Sequence, residues 1–334
     1  MPKAFVKRSL DKLLTLSKEL NMNILLTHEN PQPIDQATKD QAQLRAAINN
    51  ISNIEIGTTN VCNRKCQSCP VGTGDIADQL TNSAITDHNF DKILNNLSPF
   101  KNKRVSLSLH EYNEPLKDKE ILNKYQQVRV EFPNAYLKLF TNGDLIHKDK
   151  KNFYSINQLL NAGIDHIRIS IYDAAPEKSR VFERIGISAD SFSVLHNSQK
   201  NRTEFTHYIS HNGRLAQIRV LFLSTQKLSN RGGIIASSES TARMGVCSLP
   251  GRSLSIDYLG NLKMCCNVHH MESGAAIYGS LINTSITSIL MSESHTKMRN
   301  KTLKGDYSGL EKCKVCDFYQ KSTERHSTTP AAIH

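Results

Sequence analysis

Tryptophan is absent from the chain, and no block of Lys and Arg reaches five residues. Both features weigh against a nucleic-acid-binding protein. The basic surplus is nonetheless real: 42 basic against 31 acidic side chains give 42 − 31 = +11. Spread diffusely, it suits phosphorylated substrates or an anionic cofactor. No apolar run approaches the ~18 residues of a membrane span. The N-terminal stretch MPKAFVKRSLDKLLTLSKEL mixes charges into its apolar positions and so lacks a secretory core. The expectation is a cytoplasmic protein without a membrane partner. No cysteine lies between Cys69 and Cys247, a gap that separates the thiols into an early and a late set.

What is present is a globular composition. Charged residues make up 22% and hydrophobic residues 38% of 334, and at roughly 150 residues per domain this length predicts about two domains. The eight cysteines fall into two groups: Cys62, Cys66 and Cys69, then Cys247, Cys265, Cys266, Cys313 and Cys316. In a reducing compartment, clustered cysteines read as metal ligands or catalytic thiols before disulfides.

Residues 1–52 read as a helical extension, with Leu10, Leu13, Leu14 and Leu20 at helical spacing and a second helix in QATKDQAQLRAAINN. From residue 53 the pattern alternates. Strands are predicted at 54–58, 105–109, 136–140 and 166–171, and a strand pair at 206–210 and 218–223 turns around Asn212-Gly213. Helices are predicted through Phe90–Leu97, from Ile121 to Pro133, through Ile156–Leu160 and over Ala189–Asn197. Repeated β-α units imply parallel strands with outer helices. Composition shifts at Ser229–Gly233, which divides a body of residues 53–228 from a small cysteine-rich domain of 229–320 and a polar tail of 321–334.

The spacing Cys62-x3-Cys66-x2-Cys69, directly after a strand, puts three thiolates on one short loop. Three thiolates can hold three irons of a 4Fe–4S cube and leave the fourth open. Structural zinc with a distant fourth ligand, or unrelated buried thiols, are the alternatives. This loop resembles the signature of the radical S-adenosylmethionine (SAM) superfamily, and the resemblance covers roughly residues 53–320. It implies that the open iron chelates SAM, and that one electron cleaves SAM to methionine and a 5′-deoxyadenosyl radical. A flavodoxin or ferredoxin-type protein would donate that electron.

Further positions fall in the family's order. Glu114, in Asn113-Glu114-Pro115-Leu116, takes the place of the acid that binds the SAM amino group. Thr141-Asn142-Gly143 is similar to the family's turn near SAM, Ser170 to its ribose contact on the fourth strand, and Arg184 to a carboxylate partner. Cys247-x12-Gly260-x4-Cys265 and Cys313-x2-Cys316 resemble the auxiliary-cluster domain called SPASM, or twitch in its shortened form. Four thiolates would close a second 4Fe–4S cluster, zinc being the alternative. The implied fold is α/β: a partial (β/α)6 radical SAM barrel followed by a small SPASM/twitch domain.

The similarity extends to twitch-type dehydrogenases of aminocyclitol antibiotic pathways, such as the 2-deoxy-scyllo-inosamine and spectinomycin-pathway enzymes. Glu55 then stands where that family has a substrate-binding glutamate. Arg231, in Asn230-Arg231-Gly232-Gly233, stands where it has an arginine beside the substrate. The resulting expectation is a SAM- and cluster-dependent oxidation of an alcohol on a sugar or cyclitol. Alternatives are an epimerase with Cys266 as hydrogen-atom donor, a peptide-, protein- or RNA-modifying enzyme, and a non-catalytic metal scaffold.

Overall fold

The computed structural model describes residues 35–318 except 67–68, 73–74, 174–176, 198–201, 224–229, 234–242, 244, 273 and 275. The leucine-rich helix expected before residue 35 and the tail from 321 lie outside the described residues. The chain forms two units, Met1–Arg45 and Ala46–His334. Of the first, residues 35–45 are described, mostly as the start of the helix Gln36–Asn50. Its entry is capped by Asp35, whose carboxylate accepts from the Thr38 amide and hydroxyl.

The second unit is built on one ten-stranded sheet. In chain order the strands are β1 (Asn53–Ile56), β2 (Ser106–Ser108), β3 (Tyr136–Thr141), β4 (His166–Ile171), β5 (Ser193–Asn197), β6 (Arg202–His211), β7 (Arg214–Phe222), β8 (Ser253–Ile256), β9 (Asn261–Lys263) and β10 (Ile277–Ser280). Their order in space is β10-β9-β8-β1-β2-β3-β4-β7-β6-β5. The six central strands, β8 to β7, run parallel. Antiparallel strands extend both flanks. The two outermost strands do not pair, so the sheet is not closed. Strands before and after residue 228 share it, because β8 pairs with β1 from Asn53↔Ser253 to Ile56↔Ile256.

The period-2 alternation of these strands sorts two faces. On one, Ile54, Ile56, Leu107, Leu137, Leu139, Ile167, Ile169, Ile218, Val220, Leu254 and Ile256 are completely buried. Each such side chain contributes about 1.5–3 kcal/mol of transfer free energy. The crossover helices supply matching stripes. Asp87–Asn96, capped by the Thr86 side chain, buries Phe90, Ile93 and Leu94. Ile121–Glu131 buries Ile121, Tyr125 and Val128. Ile156–Asn161, opened by a Ser155–Gln158 capping box, buries Ile156, Leu159 and Leu160.

The other face is polar. One row runs Lys263, Ser255, Glu55, Ser108, Lys138, His166 and Gln217, each in register with the next. Two residues further along the strands, Phe140, Arg168 and Arg219 are in register. This is the interior that the site occupies.

One expected element is corrected. Ala189–Asn197 is not a helix but a short 3-10 turn, Ala189–Ser191, followed by β5. Phe192 is drawn into an aromatic cluster with Phe182 and Phe205, at centroid distances of 5.0 and 6.5 Å. Ser193–Asn197 then pairs with β6 as an edge strand that leaves Val194 and Leu195 exposed. That segment offers too few apolar residues at helical spacing for a buried stripe. Among the described residues, no helix is long and apolar enough to cross a membrane.

Candidate functional site

The first cysteine loop leaves β1 and folds back on itself. The Cys69 amide donates to the Cys66 carbonyl at 3.0 Å, and the Gly72 amide to the Cys69 carbonyl at 2.9 Å. Gly72 is packed so closely that a Cβ there would stand 2.5 Å from the Cys66 oxygen and 2.6 Å from its nitrogen. Only glycine lets the chain close the loop this tightly. Burial, then the nearby Glu114 carboxyl and the other two thiols, push Cys62 up to about 11. Cys66 and Cys69 are also raised, chiefly by burial. Such thiols hold their protons until a metal replaces them.

Glu114 is buried beside this loop, and its amide donates to Val61 O at 2.9 Å. It caps the 3-10 turn Pro115–Lys117 by accepting from the Leu116 amide. Its Oε1 accepts from Thr141 Oγ1 at 2.7 Å and its Oε2 from the Asn142 amide at 2.8 Å. Burial still outweighs these bonds and raises its pKa to about 7. Glu114, Thr141 and Asn142 therefore meet at the mouth of the cysteine loop. Ser170 lies buried on β4, next to β3, and its side chain hydrogen-bonds Tyr172.

A charged network that the sequence did not announce holds these parts together. Arg64, between Cys62 and Cys66, grips Asp144 through Nε and Nη2, both at 2.6 Å, and reaches Asp173 at 3.2 Å. Asn63 bridges Asp144 and Asn142. Arg184 stands 4.0 Å from Asp144. The loop after β3 is thus tied to the cysteine loop by a two-point Arg–carboxylate clamp.

The second group is assembled from distant segments. Cys247, Cys265, Cys313 and Cys316 line one cavity together with Gly232, Arg243, Met264, Asn267 and Lys312. Cys265 and Cys313 are pushed up to about 12, first by burial. Arg243 donates to the Cys316 carbonyl at 3.3 Å and lies within electrostatic reach of the Cys247 and Cys316 sulfurs. Asn267 reaches Cys316 Sγ at 3.9 Å.

Between the two groups lies the polar interior. Cys266 does not share the cavity of Cys265. Apart from burial, its thiol senses Glu55, Cys265, Arg231 and Lys263. Arg231 donates to Asn267 Oδ1 at 3.4 Å and lies 5.3 Å over the Tyr112 ring. It also interacts electrostatically with Cys69 and Cys266. Its left-handed backbone, φ 52°, continues into Gly232 and Gly233 at 67° and 89°. Asn230 holds this turn by donating to Val315 O at 2.6 Å and accepting from the Asp317 amide at 3.2 Å. A Cβ on Gly233 would meet Val315 at 2.9 Å. A left-handed conformation at a half-buried, non-glycine residue costs about 1–3 kcal/mol and persists only where its surroundings fix it.

Glu55 accepts from Asn53 at 3.1 Å, and burial raises its pKa. Lys263, also missed in the sequence, is buried, pairs with Glu111 and donates to Val268 O at 2.6 Å. It joins the loop after β2 to the loop after the Cys265–Cys266 pair.

Among the described residues, no three His, Cys, Asp or Glu side chains group closely enough to hold a metal ion as they are placed. Sulfur-only sets of three and four suit iron–sulfur clusters. Residues 247–317 match the SPASM family model, an iron-sulfur cluster-binding domain. The comparison with curated proteins gives no match. Among solved structures, the chain is similar to BtrN in complex with AdoMet and 2-DOIA, at 21% identity, 80% coverage of this chain, 93% of that chain and a TM-score of 0.60. It is also similar to BtrN in an open conformation, at 18% identity, 80% and 92% coverage and a TM-score of 0.52. The chain has this fold, with a SPASM region toward its C-terminus.

Proposed function

We propose that the protein is a radical SAM oxidoreductase that oxidises an alcohol on a small polyhydroxylated molecule. The observation that carries this reading is the placement of Glu55, Arg231 and Cys266 in a polar interior between a three-thiol loop and a four-thiol cavity. The fold shared with a protein crystallised with AdoMet supports it. When bound, the two 4Fe–4S clusters and SAM supply reductive SAM cleavage, hydrogen-atom abstraction and a sink for the second electron of an oxidation.

The chain's own residues have definite tasks. Cys62, Cys66 and Cys69 would hold the SAM-binding cluster, and Cys247, Cys265, Cys313 and Cys316 the auxiliary one. Glu114, fixed by Thr141, Asn142 and Leu116, accepts from the SAM amino group, while Ser170 and Arg184 contact its ribose and carboxylate. Glu55 accepts a hydrogen bond from a substrate hydroxyl. Arg231 stabilises the oxygen that loses its proton. Asn267 links Arg231 to the Cys316 sulfur and so couples substrate to the auxiliary site. A flavodoxin or ferredoxin-type protein supplies the first electron.

The test is anaerobic reconstitution with SAM, reductant and a panel of cyclitols and sugars. Formation of 5′-deoxyadenosine coupled to a product two hydrogens lighter supports the reading, and SAM left intact refutes it. The inward Cys266 thiol favours a second reading, epimerisation. That outcome would give product of unchanged mass with solvent deuterium at carbon, abolished in Cys266→Ala.

A further inference from the structure

The interior beneath Ser170 holds more positive charge than its own chain matches. Lys263 is paired with Glu111 and Arg219 with Glu204. Arg231 faces Cys69 and Cys266, and Lys138 feels the Glu55 carboxyl without reaching ion-pair distance. Arg168 on β4 remains. Among the described residues it has no carboxylate partner, and its buried Nε has no hydrogen-bond acceptor. Its guanidinium lies 5.7 Å from the Phe140 ring centroid.

Two imidazoles surround the same ring. His110 is 4.4 Å and His166 6.2 Å from Phe140 by ring centroids. His110 Nδ1 and His166 Nε2 are buried and unpartnered. Burial first, then the neighbouring cations, push both histidines down to about 3, so they are neutral and each carries one N–H. Lys138 is in register with His166. Arg168 and His166 on β4 and His110 after β2 therefore share one region with unmet hydrogen-bonding capacity, and Lys138 on β3 borders it, its Nζ 5.7 Å from the Tyr136 ring centroid. Arg168 as a whole is half-buried, but buried polar atoms left unmet are costly, unless a ligand completes them.

We infer that the substrate carries a phosphate monoester, seated between Arg168 and Lys138 and completed by His110 and His166. This rests on the proposed function for the reacting end of the molecule and adds the class of its anchoring end. Arg168 precedes Ser170 by two residues, about 7 Å along a strand. The phosphate would thus sit one step deeper in the interior than the SAM ribose contact, leaving the carbon skeleton near Glu55 and Arg231. Three terminal phosphate oxygens can use donors from all four side chains, whereas a carboxylate has two oxygens for them.

The test is calorimetric titration of the reconstituted protein with inorganic phosphate, myo-inositol 1-phosphate, myo-inositol and D-glucuronate. The phosphate ester should bind at least about tenfold more tightly than myo-inositol and glucuronate. Arg168→Gln should weaken phosphate-ester binding by about tenfold or more, and Arg168→Lys should restore part of it. Failure of both phosphate probes to bind, equal binding of myo-inositol, tighter binding of glucuronate or an unchanged Kd in Arg168→Gln would overturn the inference. So would a loss of SAM affinity in that variant with phosphate binding retained. SAM cleavage by the wild-type protein is measured separately. Cleavage without phosphate preference removes only this inference, and phosphate preference without cleavage removes only the radical reading.

Discussion

The two cysteine groups solve opposite problems. The first is local: three thiols within eight residues, closed by Gly72 and clamped from outside by Arg64 on Asp144. The second is assembled: four thiols from three segments far apart in sequence, meeting only because β8, β9 and the Asn230–Gly233 turn bring them to one cavity. A three-thiol loop has a side left for a ligand, and here that side meets Glu114 and Thr141. Four thiols around a cavity leave none. Under the proposed function, this difference is why ligand binding is given to the first group and electron storage to the second.

The largest expected effect breaks the first group. Reconstituted wild-type protein should bind about eight irons at four per cube, and Cys62→Ala/Cys66→Ala/Cys69→Ala about four. SAM cleavage should vanish in that variant. Zinc in the remaining site, or no iron left, would contradict the comparison.

Next comes the residue between the groups. Arg231→Lys keeps the charge but loses the planar fork. It should bind SAM normally and lose product formation by about 10²–10³-fold, the scale for removing one donor at a developing oxyanion. Turnover close to wild type would leave Arg231 only its role in the strained turn. Glu55→Gln, compared in the same assay, should lower turnover less, because an amide still hydrogen-bonds a hydroxyl.

A pH titration sharpens the ligand-binding side. Burial raises Glu114 to about 7 against its bonds from Asn142, Thr141 and Leu116, with Asp144 nearby pushing the same way. Only the carboxylate form has both oxygens free to accept an N–H from the SAM amino group, so bound SAM favours ionised Glu114. Affinity for SAM should be full well above pH 7 and fall by up to about tenfold per unit below it. Glu114→Gln should flatten that dependence. A pH-independent affinity in the wild type would separate Glu114 from the SAM amino group.

The smallest effect tests the loop itself. Gly72→Ala forces the Cys66 backbone aside and should lower iron retention at the first site while sparing the second. Equal iron loss at both sites would mean the groups are not independent.

The same contrast explains what the sequence disclosed. The central strands were legible because Ile54, Leu107, Leu137 and Ile167 alternate with polar residues, and the three-cysteine loop because its donors are adjacent. The SPASM spacing was legible as a pattern, and it already set Cys265, which lines the cavity, apart from Cys266, which does not. Lys138, Arg168 and Lys263 carried no signal in the sequence, since nothing local marks a strand face as an interior. The Arg64–Asp144 clamp joins residues 80 apart, beyond any periodicity argument. Ser193–Asn197 was misread because its pairing partner, β6, decides its conformation and its own pattern is short.

The central claim is the division of labour between the two groups, and Cys265→Ala tests it most directly. The variant, retaining about four irons, is incubated with SAM, reductant and substrate, and both 5′-deoxyadenosine and oxidised product are quantified. Continued 5′-deoxyadenosine formation with oxidised product lost is the predicted result. Oxidised product at the wild-type level, or loss of both together with the first site's iron intact, would contradict it.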